Sequence, residues 1–133
     1  MTDKELLDRI NKRCPYNIYN GIRVTELGEG CCTVETVLRP ESKNPWGAAH
    51  GGLVYSLCDV AAGVAVSLGD RHGVTVSGNI HYLRPSGGEY LRAEGRIVKD
   101  GRHIVFVETE VRDADGILTA VGSFEYFIVE DKA

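Results

Sequence analysis

Asp59 is the one charged side chain in residues 53–69, seventeen positions that open directly after His50-Gly51-Gly52. A lone carboxylate in apolar surroundings is expensive to desolvate, so a protein that keeps one there gains something from it. Carboxylates tuned by such surroundings serve as general bases and nucleophiles. The two glycines offer the other half of a reaction centre. The first turn of a helix carries N–H groups without intrahelical partners, at the positive end of the helix dipole. Without side chains, Gly51 and Gly52 let a carbonyl oxygen approach those groups closely, an oxyanion-type arrangement. Asn44, six residues before His50, adds a further polar group.

His-Gly-Gly alone reads more simply as a tight helix entry with His50 as its cap. The isolated acid shifts the balance toward chemistry, because an Asp that only caps a helix belongs near an end. Helix geometry adds a constraint. At 1.5 Å per residue, Asp59 lies roughly 13 Å from the helix entry. That is beyond hydrogen-bond reach of a carbonyl held at Gly51 of the same chain. Two such helices antiparallel across a two-fold axis would bring Asp59 of one chain to Gly51 of the other. A site shared at a dimer interface is the simplest resolution.

The elements that must position these residues follow from periodicity and turn chemistry. Residues 2–13 read as a short amphipathic helix, with Thr2 as N-cap, Leu6, Leu7 and Ile10 on one face, and Cys14-Pro15 as its stop. Strands are expected over 22–27 and 31–39, joined at Gly28-Glu29-Gly30. A polar loop with the single tryptophan, Trp46, leads to a central helix that is apolar around its circumference, as a buried helix is. Four β-rich segments follow, at 73–83, 90–98, 103–112 and 117–129. Asp100-Gly101 and Asp115-Gly116 favour tight hairpins between them. The order suggests an α+β layer structure, with a six-stranded antiparallel sheet, its last four strands meandering, wrapped around the long helix. Several strands are apolar on both faces: Val105, Val107 and Val111 alternate with Ile104 and Phe106, and Phe124, Tyr126 and Ile128 with Val121, Phe127 and Val129. One helix cannot cover both faces, so subunits are expected to associate.

Composition narrows the function classes. The 133 residues fit one domain, 1–133, with a real core and no internal repeat or linker. A formal net charge of −4 argues against a general nucleic-acid binder, and no segment is suited to span a membrane. The charged N-terminus has no signal-peptide core, so a cytoplasmic location is the default expectation. None of Cys14, Cys31, Cys32 and Cys58 forms a C-x-x-C pair, and adjacent Cys31 and Cys32 would face opposite sides of a strand. Buried free thiols are the simpler reading. His72, His81 and His103 lack metal-ligand spacing, and no metal site is expected.

Asn44, His50-Gly51-Gly52 with Leu57 and Asp59 in the run H-G-G-x-x-x-x-L-x-D, and the strand end Tyr82-Leu83-Arg84-Pro85 form a combined pattern over most of the chain. It resembles the hotdog-fold acyl-CoA thioesterases of the phenylacetic-acid-degradation (PaaI-like) and THEM2-like group. The resemblance implies that the Gly51 amide polarises the thioester carbonyl. Asp59 of the partner chain would act as general base or nucleophile, with Asn44 and His50 orienting the thioester end and the loop. The family also places a hydroxyl on the strand after the helix to hold the water. Thr75 is favoured for that role, but alternation puts Ser77 on the same face and leaves both open.

Thioester hydrolysis is chemically coherent here. Hydrolysis needs a polarised carbonyl, a water or carboxylate nucleophile, and no metal. A thiolate is a good leaving group, so strong general-acid help is dispensable, and coenzyme A enters as part of the substrate. No G-x-S-x-G context supports a serine hydrolase. Arg84 and Arg102 are the better candidates for the CoA phosphates, with Lys99 behind them. A homodimer is the expected active unit, with a homotetramer as a dimer of dimers. Two other readings compete. A non-catalytic acyl-CoA-binding domain would have no use for a buried acid, and the N-terminal helix is too short for a regulator's DNA-binding segment. An acyl-CoA dehydratase on the same fold usually employs a differently spaced His/Asp or His/Glu pair.

Overall fold

The computed structural model describes residues 1–129. Helix α1 (Asp3–Arg13) begins where Thr2 was expected to cap it, the Thr2 hydroxyl accepting from the Glu5 N–H at 3.2 Å. Cys14-Pro15 does end α1, but a second helix that the sequence reading omitted, α2 (Pro15–Asn20), starts immediately. Pro15 is its first residue, where the missing N–H would have had no partner anyway. Gly21, at φ +69°, closes α2 in the left-handed conformation.

The strands are β1 (Ile22–Gly28), β2 (Cys31–Val37), β3 (His72–Tyr82), β4 (Tyr90–Asp100), β5 (Ile104–Asp113) and β6 (Leu118–Val129). A short 3-10 turn at Pro40–Ser42 and the long helix α3 (Gly51–Ser67) separate β2 from β3. All pairings are antiparallel, in the order β1-β2-β4-β5-β6-β3. The Asp-Gly turns close β4–β5–β6 into the expected meander. The expectation that β3 begins that meander is corrected, because β3 lies beyond β6 at the sheet edge. Its link to β4 carries Pro85 and is pinned as a crossover. The Leu83 and Arg84 N–H groups both donate to the Thr119 carbonyl, at 2.9 and 3.3 Å, and the buried Ser86 hydroxyl donates to that of Thr119 at 2.8 Å.

Helix α3 buries one face on the sheet, through Leu53, Val54, Leu57, Cys58, Ala61, Ala62, Ala65 and Val66. Val34, Leu91, Ala93, Val105, Val107, Val111 and Phe124 meet it from the strands. Each fully buried aliphatic or aromatic side chain contributes about 1.5–3 kcal/mol. Truncating the fully buried Leu57 to Ala would cost about 2–5 kcal/mol. The helix backbone lies close to the sheet at Gly95, where a Cβ would lie 2.7 Å from the Ala61 carbonyl carbon.

The other side of α3 differs from the expectation of a helix buried all round. Tyr55, Ser56, Asp59, Val60, Gly63 and Val64 form a half-buried stripe, because a single sheet layer covers only one face of a helix. On the far side of the sheet, Val98, Phe106 and Phe127 are exposed, interspersed with Glu94, Arg96, Glu108 and Glu110.

The two sheet edges are not equivalent. The β1 edge is occupied at Val24, whose N–H and carbonyl bond the Asn11 side-chain amide of α1 at 2.8 and 2.9 Å. The β3 edge carries no such partner among the described residues, and its Val74 and Val76 are 42% and 59% exposed. No helix of the described residues is long and apolar enough to cross a membrane.

Candidate active site

The loop before α3 is built around Asn44. Its Oδ1 accepts from the Trp46 and Ala48 N–H groups at 2.9 and 3.1 Å, folding the loop back on itself. Two backbone bonds fix the loop end, Ala49 N–H to Ser86 O at 2.7 Å and His50 N–H to Ser42 O at 2.8 Å. His50 is the N-cap of α3, and its Nδ1 accepts from the Gly52 N–H at 2.9 Å. The Leu53 and Val54 N–H groups both reach the His50 carbonyl, at 3.0 and 3.2 Å.

These bonds separate two glycines that the sequence treats alike. The Gly52 amide is spent on the cap, whereas the Gly51 N–H has no acceptor among the described residues. The amide left free at the helix start is therefore that of Gly51. Tyr82 fixes the Gly51 peptide from the other side, its hydroxyl donating to the Gly51 carbonyl at 2.7 Å. Trp46 stands 87% exposed on the loop.

Asp59 lies in the middle of α3, half-buried, on the stripe that faces away from the sheet centre. The Thr75 hydroxyl donates to Asp59 Oδ1 at 2.9 Å. Ser77 does not share that position. The β3–β6 register shifts between Thr75 and Ser77, so Thr75 pairs with inward-facing Tyr126 and Ser77 with Glu125 on the opposite face. A bulge at Val76 thus corrects the expectation that strict alternation keeps the two hydroxyls together.

Tyr126, which sequence reasoning counted only among the apolar core positions, also belongs to this site. Its hydroxyl contacts Asp59 Oδ1 and lies 2.6 Å from the Asp59 backbone carbonyl. Burial, then the hydrogen bond to Asp59, pushes the Tyr126 hydroxyl far above the usual phenol range, so it stays a donor. A signal existed in the sequence: Tyr126 is the one polar side chain in the inward row Phe124-Tyr126-Ile128, and a buried phenol needs a partner. Neighbouring Cys58 is not a rival nucleophile, since burial lifts its thiol to about 11. Cys32 is likewise lifted to about 12.

One chain therefore offers an unsatisfied amide at the start of α3 and a hydroxyl-braced carboxylate near its middle, roughly 12 Å apart along the axis. The sequence matches the family model described as the thioesterase superfamily over residues 47–120, a span that contains both groups. The chain belongs to the thioesterase superfamily.

Its relatives agree. Human acyl-coenzyme A thioesterase 13 is 30% identical over 76% of this chain and 75% of its own. A conserved Pseudomonas aeruginosa protein superposes with a TM-score of 0.85 at 31% identity, covering 91% of this chain and 98% of its own. The Bacillus halodurans protein BH2602, solved with CoA, has a TM-score of 0.82 at 30% identity, over 98% and 89% of the two chains. The fold of this thioesterase-superfamily member, an antiparallel sheet wrapped on one long helix, is the hotdog fold. Thioester hydrolysis is the general activity that membership supports.

The basic side chains considered for CoA sit at opposite ends of α3. Arg84 follows Tyr82, whose hydroxyl reaches Gly51 at the helix start. Arg102 follows Asp100, which pairs with Arg71 at 2.6 Å, and Arg71 Nε donates to the Val66 carbonyl at the helix end. Within one chain the structure does not bring Arg84 and Arg102 together. His72, His81 and His103 are exposed, and His103 stacks on Phe127 with ring centroids 6.5 Å apart.

Proposed function

We propose that this protein hydrolyses an acyl-CoA or aryl-acyl-CoA thioester to the free acid and coenzyme A, at a site shared between two chains. The observation that carries the reading is the division of labour along α3. Its free Gly51 amide suits a thioester carbonyl, its braced Asp59 carboxylate suits a base or nucleophile, and the two are too far apart to cooperate within one chain. In an antiparallel homodimer each carbonyl is polarised by Gly51 of one subunit and attacked with the help of Asp59 of the other. Asn44 and His50 hold the loop that presents the amide, and Thr75 steadies the carboxylate. Arg84 and Arg102, at opposite ends of α3, are assigned to the CoA phosphates.

Asp59 acts either by taking a proton from the attacking water or by adding to the carbonyl to form an anhydride that water then opens. Departure of a thiolate requires no metal or further cofactor. The open β3 edge and the half-buried stripe of α3 support the dimer, with a homotetramer as a dimer of such dimers. Neither nucleic acid nor membrane is a partner in this reading.

Subunit complementation tests it. Asp59→Asn and Gly51→Pro chains, each inactive in a thiol-release assay, are refolded together. Random pairing should restore about a quarter of wild-type activity, because half the dimers are mixed and each holds one intact site of two. No recovery from mixed dimers would refute the shared site. Wild-type turnover by Asp59→Asn alone would refute the catalytic assignment. The same assay over short, medium, long and aromatic acyl-CoAs defines the acyl group.

A further inference from the structure

We propose that Tyr126 is a positioning residue: its hydroxyl and that of Thr75 together hold Asp59 Oδ1 and leave Oδ2 as the working oxygen. The inference rests on the reading of Asp59 as base or nucleophile, and it adds which oxygen reacts and what orients it.

Oδ1 receives Thr75 at 2.9 Å and is in contact with the Tyr126 hydroxyl, while Oδ2 has no donor among the described residues. An oxygen that already accepts two hydroxyl hydrogen bonds has little basicity to spare, whereas its partner keeps its lone pairs. The phenol itself is firmly placed. Tyr126 is 3% exposed, pairs with Thr75 across the β3–β6 ladder, and its single O–H lies between Asp59 Oδ1 and the Asp59 backbone carbonyl, 2.6 Å away.

Space for the side chain is kept by a glycine. A Cβ at Gly63, one helical turn after Asp59, would stand 3.1 Å from the Tyr126 hydroxyl. A phenylalanine would fill this space equally well, so the hydroxyl is what needs explaining. Burying it without a partner is costly, and the partner it has is the carboxylate.

The step balances without an added reagent. A water O–H proton passes to Oδ2 as the water oxygen bonds to the thioester carbonyl carbon. The C–S bond then breaks, and its electron pair leaves on sulfur, which takes the proton. Tyr126 keeps its own proton throughout and acts only on the direction of the carboxylate.

Tyr126→Phe keeps the ring and removes the donor. The expected result is a kcat lowered about tenfold to a hundredfold, as misplacement of a reacting group does, with KM for acyl-CoA changed less than about twofold. Thr75→Val combined with Tyr126→Phe should lose less than the product of the single losses, because both act on one oxygen. Wild-type kcat in Tyr126→Phe, or losses that simply multiply, would overturn the inference. Should Tyr126→Phe not fold, Gly63→Ala crowds the same hydroxyl in a helix that alanine favours. Its kcat should fall, and an unchanged kcat would be equally fatal. Asp59→Asn is measured alongside. If it is inactive while Tyr126→Phe is normal, only the role of Tyr126 falls; if it is active, the reading of Asp59 falls first.

Discussion

Thr75 and Ser77 stand two residues apart in β3 and face opposite sides of the sheet, because Val76 is the extra residue of a bulge between them. Thr75 consequently meets Asp59, and Ser77 lines up with Glu125 on the outer face. The two hydroxyls should respond very differently to removal. Thr75→Val is expected to lower kcat for acyl-CoA hydrolysis about tenfold or more. Ser77→Ala should change it less than about twofold, since surface substitutions away from a site have small effects. Steady-state thiol release from the two variants makes the comparison, and equal losses would contradict the bulge.

The cap at the start of α3 has a stability consequence of its own. His50→Ala removes the acceptor for the Gly52 N–H and should destabilise the fold by about 1 kcal/mol. His50→Asn or His50→Ser supplies a short acceptor and should recover most of that loss. Urea midpoints with unchanged m-values would report it. A His50→Ala midpoint equal to wild type would mean that the cap contributes nothing.

Gly95 is where α3 and β4 touch backbone to side-chain position. A Cβ there would lie 2.7 to 2.9 Å from the Ala61 carbonyl group and the Ala62 nitrogen, none of which can swing aside. Gly95→Ala should therefore lift the helix from the sheet and cost about 1–3 kcal/mol or more. Denaturant unfolding measures the loss. Hydrolysis should fall with it, because Asp59 rides on the helix and its two hydroxyl partners do not.

Alkaline pH should weaken the fold. Burial raises the Cys32 thiol from 9.0 to about 12 and the Cys58 thiol from 9.0 to about 11. Between those limits the folded chain keeps protons that the unfolded chain has lost, so unfolding is favoured as pH rises. The stabilisation is whole below about pH 9 and declines through about pH 11–12. Urea midpoints at neutral pH and near pH 10 should show the decline, and a Cys32→Ala, Cys58→Ala double variant should flatten its slope relative to wild type.

Much of this architecture can be read from local chemistry. Thr2 caps its helix, the Asp-Gly turns close the β4–β5–β6 meander, and His50-Gly51-Gly52 opens α3. What escaped was non-local. The partnership of β3 with β6 depends on a crossover anchored at Thr119 and Ser86, far away in sequence. The Val76 bulge is invisible to alternation, because one inserted residue reverses the face of everything after it. Tyr126 went unnoticed as a site residue because its partner lies 67 positions earlier.

The sequence by itself determined the lone acid, the glycine entry, and the separation that rules out cooperation between Gly51 and Asp59 in one chain. These are matters of composition and helical rise, which need no tertiary contacts. Only the tertiary structure decided which hydroxyl meets the carboxylate, and that a phenol joins it. Both depend on hydrogen bonds between groups that the fold alone brings within 3 Å, and such bonds are too short-ranged and directional for spacing along the chain to specify.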